Sequence, residues 1–321
     1  MKKNLIPILV LVILVSACNN EPEARKDVKK YTAEQLFNNK SIYGAAFNAD
    51  ETKILSGANI TGINNVYELS IADTSMKPLT SSTKESFYPI GYLTGTAKYL
   101  YSADQGGNEN SHIYLQSPGD TAAKDSTPWI GSANSMFGWS ADKKSIYISS
   151  NKRDPKYFDI LKADTTDWNF TMFFQNDSGL NANDISKSER YITLSKSITT
   201  DKNELYMYDR TTKEMKKLSN DSEATWFSSG FEKNDSIMYY ITNDGDEFSY
   251  LVKYNVNSGK ADKMYSTNWD VDGMSLSENE KYHTIFINED GKNKVLLFDH
   301  ATNKPIDFPA IPDGDVKGVI I

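Results

Sequence analysis

Cysteine is nearly absent: one in 321 residues, Cys18. No internal disulfide can form, so any fold must rest on its core alone. Histidine is scarce as well. His112, His283 and His300 are scattered along the chain, and a metal site or a Ser-His-Asp triad would need convergent partners that their spacing does not offer. No metal, no cofactor and no catalytic residue is therefore expected in this chain. No G-x-S-x-G nucleophile elbow occurs either; Gly138-Trp139-Ser140 and Gly273-Met274-Ser275 begin one without the closing glycine, and both fall on expected innermost strands rather than strand-to-helix turns. Blocks of five or six like charges are missing, and Asp plus Glu exceed Lys plus Arg by 43 to 35, a net charge of −8. That balance favours solubility and excludes nucleic acid as a partner, which would need a basic face. With 18 glycines and 10 prolines, disorder is not expected beyond the N-terminus.

What is present is a repeat. A bulky apolar anchor, a polar turn and a β-rich run recur as FNADETKIL from Phe47, YLTGTAKYL from Tyr92, WSADKKSIY from Trp139, ISKSERYIT from Ile185, FEKNDSIMY from Phe231 and LSENEKYHT from Leu276. Successive anchors lie 45, 47, 46, 46 and 45 residues apart, and one further step of 45 lands on Ile321, the last residue. The run DVKGVII from Asp315 repeats the lead-in DVDGMSL from Asp270. A period of about 40–50 residues with four strands per unit predicts a β-propeller. The fold class is all-β: six complete four-stranded blades over residues 41–321 plus the first strand of a seventh, with seven blades expected in a longer protein. The 19 tyrosines and 14 phenylalanines suit pleated, half-buried strands.

Each repeat reads as four strands. In the third, Met136 to Ser140 is the innermost strand and Ala141 to Lys144 the turn. Ser145 to Ser150 alternates, with Ile146 and Ile148 on one face and Tyr147 on the other. A loop at 151–156 follows, then strands at Tyr157 to Lys162 and Thr171 to Phe174. One such blade cannot bury both faces alone, whereas stacked neighbours can. Phe173-Phe174 and Tyr239-Tyr240 read as packing between blades.

The N-terminus reads as an address. Lys2 and Lys3 form a basic head, Leu5 to Val15 an apolar run too short to cross a bilayer comfortably, and Val15-Ser16-Ala17-Cys18 a cleavage site. V-S-A-C resembles a bacterial lipobox, which implies a signal peptide over residues 1–17 and a lipid on Cys18. An ordinary secretory signal with an incidental cysteine is the alternative. Residues 18–40 then form a polar tether and a short helix, with Thr32 and Gln35 as a capping box. Such a chain is anchored to a membrane, not spanning it. It would be an exported lipoprotein of the cell envelope, facing the periplasm or lying at the outer membrane or cell surface.

WSADKKSIYISSNKRDPKYFDIL (Trp139 to Leu161) resembles the repeat of TolB-type propellers, in which an S-x-D-x-K turn precedes a strand and an S-N-x-R loop follows it. Ser140, Asp142, Lys144, Ser150, Asn151 and Arg153 match that pattern. SADQGGNENSHIYL (Ser102 to Leu115), SSNKRDPKYFDI (Ser149 to Ile160) and TLSKSITTDKNELYMYD (Thr193 to Asp209) look like the propeller of S9 family serine peptidases, the prolyl oligopeptidase and acylaminoacyl peptidase group, in lipoprotein versions. The resemblance covers Tyr31 to the end. It implies a covalent α/β-hydrolase domain further along the polypeptide, carrying the family's Ser, Asp and His. It also implies peptide substrates, and a gating role for the propeller.

Two loops are candidates for contact with substrate or with a second domain. In Asp104-Gln105-Gly106-Gly107-Asn108-Glu109, either Asp104 or Glu109 can face a substrate amine, or the segment is a plain hairpin connection. In Asn151 to Pro155, Arg153 can dock a carboxylate bidentately or pair with Asp154 or Asp159 in its own blade. Asp244-Gly245-Asp246 and Asn288 to Gly291 are turn chemistry without the ligand spacing of a calcium loop. Competing readings are a stand-alone TolB-like interaction propeller and a propeller enzyme with its own site, such as a polysaccharide lyase, which usually needs clustered histidines or a metal.

Overall fold

The computed structural model describes residues 28–310, 316, 318 and 319. The signal peptide, Cys18 and the first part of the tether lie outside the described residues, as does most of the seventh copy at 315–321. Two compact units divide the chain at Ser41. In the first, the described residues hold one short helix, α1 (Ala33–Phe37), capped as its sequence predicts: Gln35 N donates to Thr32 Oγ1 at 3.2 Å, and Thr32 N donates to Gln35 Oε1 at 3.0 Å.

The second unit is a β-propeller of six four-stranded antiparallel sheets among the described residues. Blade 1 is β1 (Ile42–Phe47), β2 (Lys53–Ala58), β3 (Asn65–Ser70) and β4 (Met76–Pro78). Blade 2 is β5 (Tyr88–Tyr92), β6 (Tyr99–Ala103), β7 (His112–Gln116) and β8 (Lys124–Asp125). Blade 3 is β9 (Asn134–Trp139), β10 (Ser145–Asp154), β11 (Tyr157–Asp164) and β12 (Thr171–Phe174). Blade 4 is β13 (Asn181–Ile185), β14 (Tyr191–Ser197), β15 (Asn203–Asp209) and β16 (Glu214–Lys217). Blade 5 is β17 (Trp226–Phe231), β18 (Ile237–Thr242), β19 (Tyr250–Asn255) and β20 (Ala261–Tyr265). Blade 6 is β21 (Asp270–Leu276), β22 (Tyr282–Glu289), β23 (Lys292–Asp299) and β24 (Lys304–Ile306).

Every sequence anchor stands at or next to the end of a first strand. The polar turn behind it folds alike in five blades, where its fourth residue adopts the left-handed region: Glu51 (φ 55°), Lys143 (56°), Glu189 (66°), Asp235 (57°) and Glu280 (57°); in blade 2 the third residue, Gly95 (71°), does so instead. Side chains lock the turn. In blade 3, Ser140 Oγ accepts from Ser145 N at 2.9 Å and donates to Asp142 Oδ1 at 2.7 Å, which also accepts from Lys144 N. Blade 6 repeats this with Ser277, Asn279 and Tyr282. Blade 4 has Ser188 where the carboxylate should be. There Asp235 of blade 5 reaches across, accepting from Ser186 Oγ at 2.8 Å and from Ser188 Oγ.

Alternation along the second strands fills five apolar seams, one between each successive pair of blades. Ile146 and Ile148 pack with Leu93, Leu100 and Ile113 of blade 2, while Tyr147, on the opposite face, packs with Ile192 and Leu194 of blade 4. Tyr240 likewise faces blade 4 and Tyr239 faces blade 6. Each fully buried Leu, Ile or Val contributes about 1.5–3 kcal/mol. Second strands therefore carry both seams of a blade.

Two details depart from the sequence reading. The expected loop at 151–156 is mostly strand: β10 runs on through a bulge to Asp154, which pairs with Tyr157, leaving a two-residue turn. Arg153, on this extension, forks onto Asp159 of β11. Secondly, the ladder between first and second strands shifts register once in all six blades, at Ala45, Ile90, Phe137, Asn183, Ser229-Gly230 and Asp272. A bulge bends the strand and raises its twist, which fits an innermost strand that must track a narrowing axis.

Candidate functional site

Antiparallel strands give a propeller two unlike ends. The first-to-second-strand turns gather at one, here the turn end, rich in Glu51, Lys143, Lys187, Lys233, Glu278 and Glu280. First-strand starts and second-to-third-strand connections gather at the other, the loop end, where Tyr43, Tyr88, Ile130, Phe158, Phe227 and Trp269 expose apolar surface.

Innermost strands of blades 1, 2 and 3 line a cavity of about 680 Å3, walled by Phe47, Ile90, Tyr92 and Trp139. Lys143 Nζ and Glu278 Oε2 meet at 2.6 Å on its rim, joining blade 3 to blade 6. A second cavity of about 390 Å3 opens between blades 2 and 3, lined by Ser102, Glu109, Ser111, Ser135, Met136 and Phe158. Ile90, on its bulge, borders both cavities. Near the turn end of blade 4, Asp184 accepts from Thr193 Oγ1, and burial pushes its carboxyl above the ordinary range against hydrogen bonds that hold it down. Burial also raises Asp272, with Asp270 adding to the effect.

The three contact candidates separate. Asp104 is spent within its own loop, where Oδ2 accepts from Glu109 N at 3.0 Å. Arg153 is engaged by its own blade: Nε and Nη2 grip Asp159 at 2.7 and 2.9 Å, and Nη2 also reaches Asn176 O and Asp177. Asp159 is 1% exposed, so this fork compensates a buried charge. Glu109 is different. It is held in the left-handed region (φ 61°), and among the described residues no hydrogen bond or ion pair engages its carboxylate, which borders the 390 Å3 cavity beside three serines. A cationic group entering from the loop end would find there one free anion and several hydroxyls.

Two of the three histidines are not scattered. His112 Nδ1 pairs with Asp125 at 2.7 Å. His283, on β22, and His300, one residue past β23, meet with their Nδ1 atoms 3.3 Å apart. The Asp290-Gly291 turn sets this up by fixing the β22–β23 register, which places His283 opposite Phe298. Among the described residues no three His, Cys, Asp or Glu side chains are placed to hold a metal.

No protein-family model matches the chain. Over 148 residues, 45% of its length, it is 26% identical to dipeptidyl aminopeptidase BIII of Pseudoxanthomonas mexicana, and the match spans 21% of that protein. A solved prolyl endopeptidase aligns over 85% of this chain and 43% of its own, with a TM-score of 0.60 and 12% identity. An oligogalacturonate lyase in complex with manganese aligns over 83% of this chain and 77% of its own, with a TM-score of 0.62 and 10% identity. Peptidase and lyase share the shape equally, so the shape shows the fold alone. The sequence likeness is to a peptidase, in line with the resemblance read from the repeats.

Proposed function

We propose that this propeller is the substrate-gating domain of a membrane-anchored S9 family serine peptidase, whose α/β-hydrolase domain lies on a further stretch of polypeptide. The sequence likeness to a dipeptidyl aminopeptidase carries the reading. The geometry suggests how it would work. First strands start at the loop end and fourth strands finish there, so segments flanking a complete blade join at the end that exposes Tyr88, Phe158 and Phe227. A catalytic domain seated on that end covers apolar surface and faces Glu109. Peptides small enough to reach the enclosed space would then meet a carboxylate able to pair with their amino terminus. The lipid on Cys18 would hold the assembly at the envelope, facing the periplasm or the cell surface.

The test is the reading frame beyond Ile321. A G-x-S-x-G elbow within roughly 200–250 residues, the reach of one hydrolase domain, supports the peptidase. In that whole protein, Glu109→Gln should raise KM for peptides with a free amino terminus and leave N-blocked peptides unchanged. A frame that stops after one more blade sinks this reading. The exposed loop end would then favour a stand-alone TolB-like interaction module.

A further inference from the structure

The seams between blades 3 and 4 and between blades 5 and 6 use one device with one difference. Tyr147 and Tyr239 are each the third residue of a second strand, and their ladder partners are Lys162 and Lys253. In the first seam Tyr147 Oη donates to Glu189 Oε1 at 2.6 Å and Lys162 Nζ donates to the same oxygen at 2.6 Å. In the second, Tyr239 Oη donates to Glu232 Oε1 at 2.7 Å, with Lys253 Nζ 3.5 Å away. The carboxylate comes from the later blade in one case and the earlier in the other. A basic residue follows the Asp that ends the next blade's third strand and completes each group. At the first seam it is Arg210, stacked 3.6 Å from the Phe173 ring and donating to Glu189 O. At the second it is His300, whose Nε2 lies 3.5 Å from Glu232 Oε1.

Arginine stays charged at every accessible pH, whereas histidine does not. The exchange is compounded one layer in. Behind Tyr191 in blade 4 stands Ile192; behind Tyr282 in blade 6 stands His283, 0% exposed. Its ring stacks on Phe298 at 4.9 Å and 6°, its Nδ1 faces His300 Nδ1, and its Nε2 is buried without a partner. Two facing ring nitrogens form one hydrogen bond only when a single proton lies between them. A second proton puts two N–H groups head to head.

We propose that the seam between blades 5 and 6 is an acid-released contact: protonation of the His283–His300 pair loosens blade 6 from blade 5, while the arginine-held seam between blades 3 and 4 stays shut. The surroundings of His283 favour release. His300 and Lys253 oppose a charge on its ring, Asp299 alone favours one, and Glu232 and Tyr239 face His300 rather than His283. Burial, followed by His300, lowers the ring to about 4. The folded state therefore binds fewer protons than the unfolded chain, whose histidine titrates near 6.5. Stability from this site is complete above about pH 6.5 and is lost as pH falls toward 4.

Amide exchange of the full chain between pH 7.5 and 5 tests this, with each rate corrected for its intrinsic pH dependence. Protection of β22 and β23 should fall, relative to β14 and β15, by about tenfold per pH unit below 6.5. His283→Ile, which copies blade 4, should abolish that difference. An NMR titration of the unaltered protein gives a second readout that needs no variant, with the His283 ring expected to stay neutral at pH 6. Parallel loss of protection in both blade pairs, or His283 titrating near 6.5 in the folded protein, overturns the proposal.

Discussion

Lys143 Nζ and Glu278 Oε2 lie 2.6 Å apart although 135 residues separate them. The bond ties the first turn of blade 3 to that of blade 6 across the rim of the central cavity. Both side chains are well exposed, which limits its worth to about 1 kcal/mol or less. Lys143→Met should therefore cost no more than that in chemical denaturation, and the difference should vanish in 1 M salt, where screening is nearly complete. A larger, salt-insensitive loss would mean that the pair holds the ring shut.

The left-handed positions of these turns give a cleaner comparison. Glu51 is the fourth residue of the blade 1 turn and Gly95 the third of the blade 2 turn, both with positive φ. A non-glycine residue there stores about 1 kcal/mol or more of strain, partly offset by the greater freedom of glycine in the unfolded chain. Glu51→Gly should stabilise the protein by up to about 1 kcal/mol, and Gly95→Ala should destabilise it by a similar amount. Melts of the two variants that shift in the same direction would refute the strain argument.

Those turns also mark what was legible beforehand. Anchors such as Trp139 and Phe231, followed by polar turns, gave away the repeat, the second strands and the split of Ile146 from Tyr147. Other features left no local trace. The bulges fall on residues as unlike as Ala45, Ile90, Asn183 and Asp272, because bulging is imposed by position in the ring rather than by residue type. Asp235 replaces a missing carboxylate from 47 residues away, which no single repeat reveals. The His283–His300 contact was within reach, since the Asp290-Gly291 hairpin fixes its register. Linear spacing along the chain hid it. Of the candidate contacts, Arg153 was already weighed as an ion pair within its blade, whereas no sequence rule tells Asp104, tied to its own loop, from Glu109, left free.

Asp184 offers a pH-dependent test with its own sign. Burial raises its carboxyl above the unfolded value, so the folded state binds more protons than the unfolded chain as both titrate. Its contribution is thus most favourable in acid and declines as pH rises through the raised value. Asp184→Asn removes the desolvated charge while keeping an oxygen that can accept from Thr193 Oγ1. It should raise Tm at pH 7.5 by roughly 2–4 °C, the usual yield of a change near 1 kcal/mol in a domain of this size. The gain should shrink toward pH 4. An equal gain at both pH values would place its origin in packing.

Arg153 supplies the strongest local prediction. Its fork and Asn176 N, at 2.8 Å, together satisfy the Asp159 carboxylate, and the guanidinium also draws Asn176 O into the same knot. Lysine keeps the charge but cannot reproduce two parallel N–H groups. Arg153→Lys should lower Tm by about twice as much as Lys143→Met or more, because one partner here is buried and the other pair is not. Arg153→Ala should lose more still. Pairing it with Asp159→Asn should restore part of the loss, since removing the buried charge is cheaper than leaving it unpaired. If the double variant melts below Arg153→Ala, the carboxylate is held by its remaining hydrogen bonds, and an unpaired buried charge is not the source of the Arg153→Ala loss.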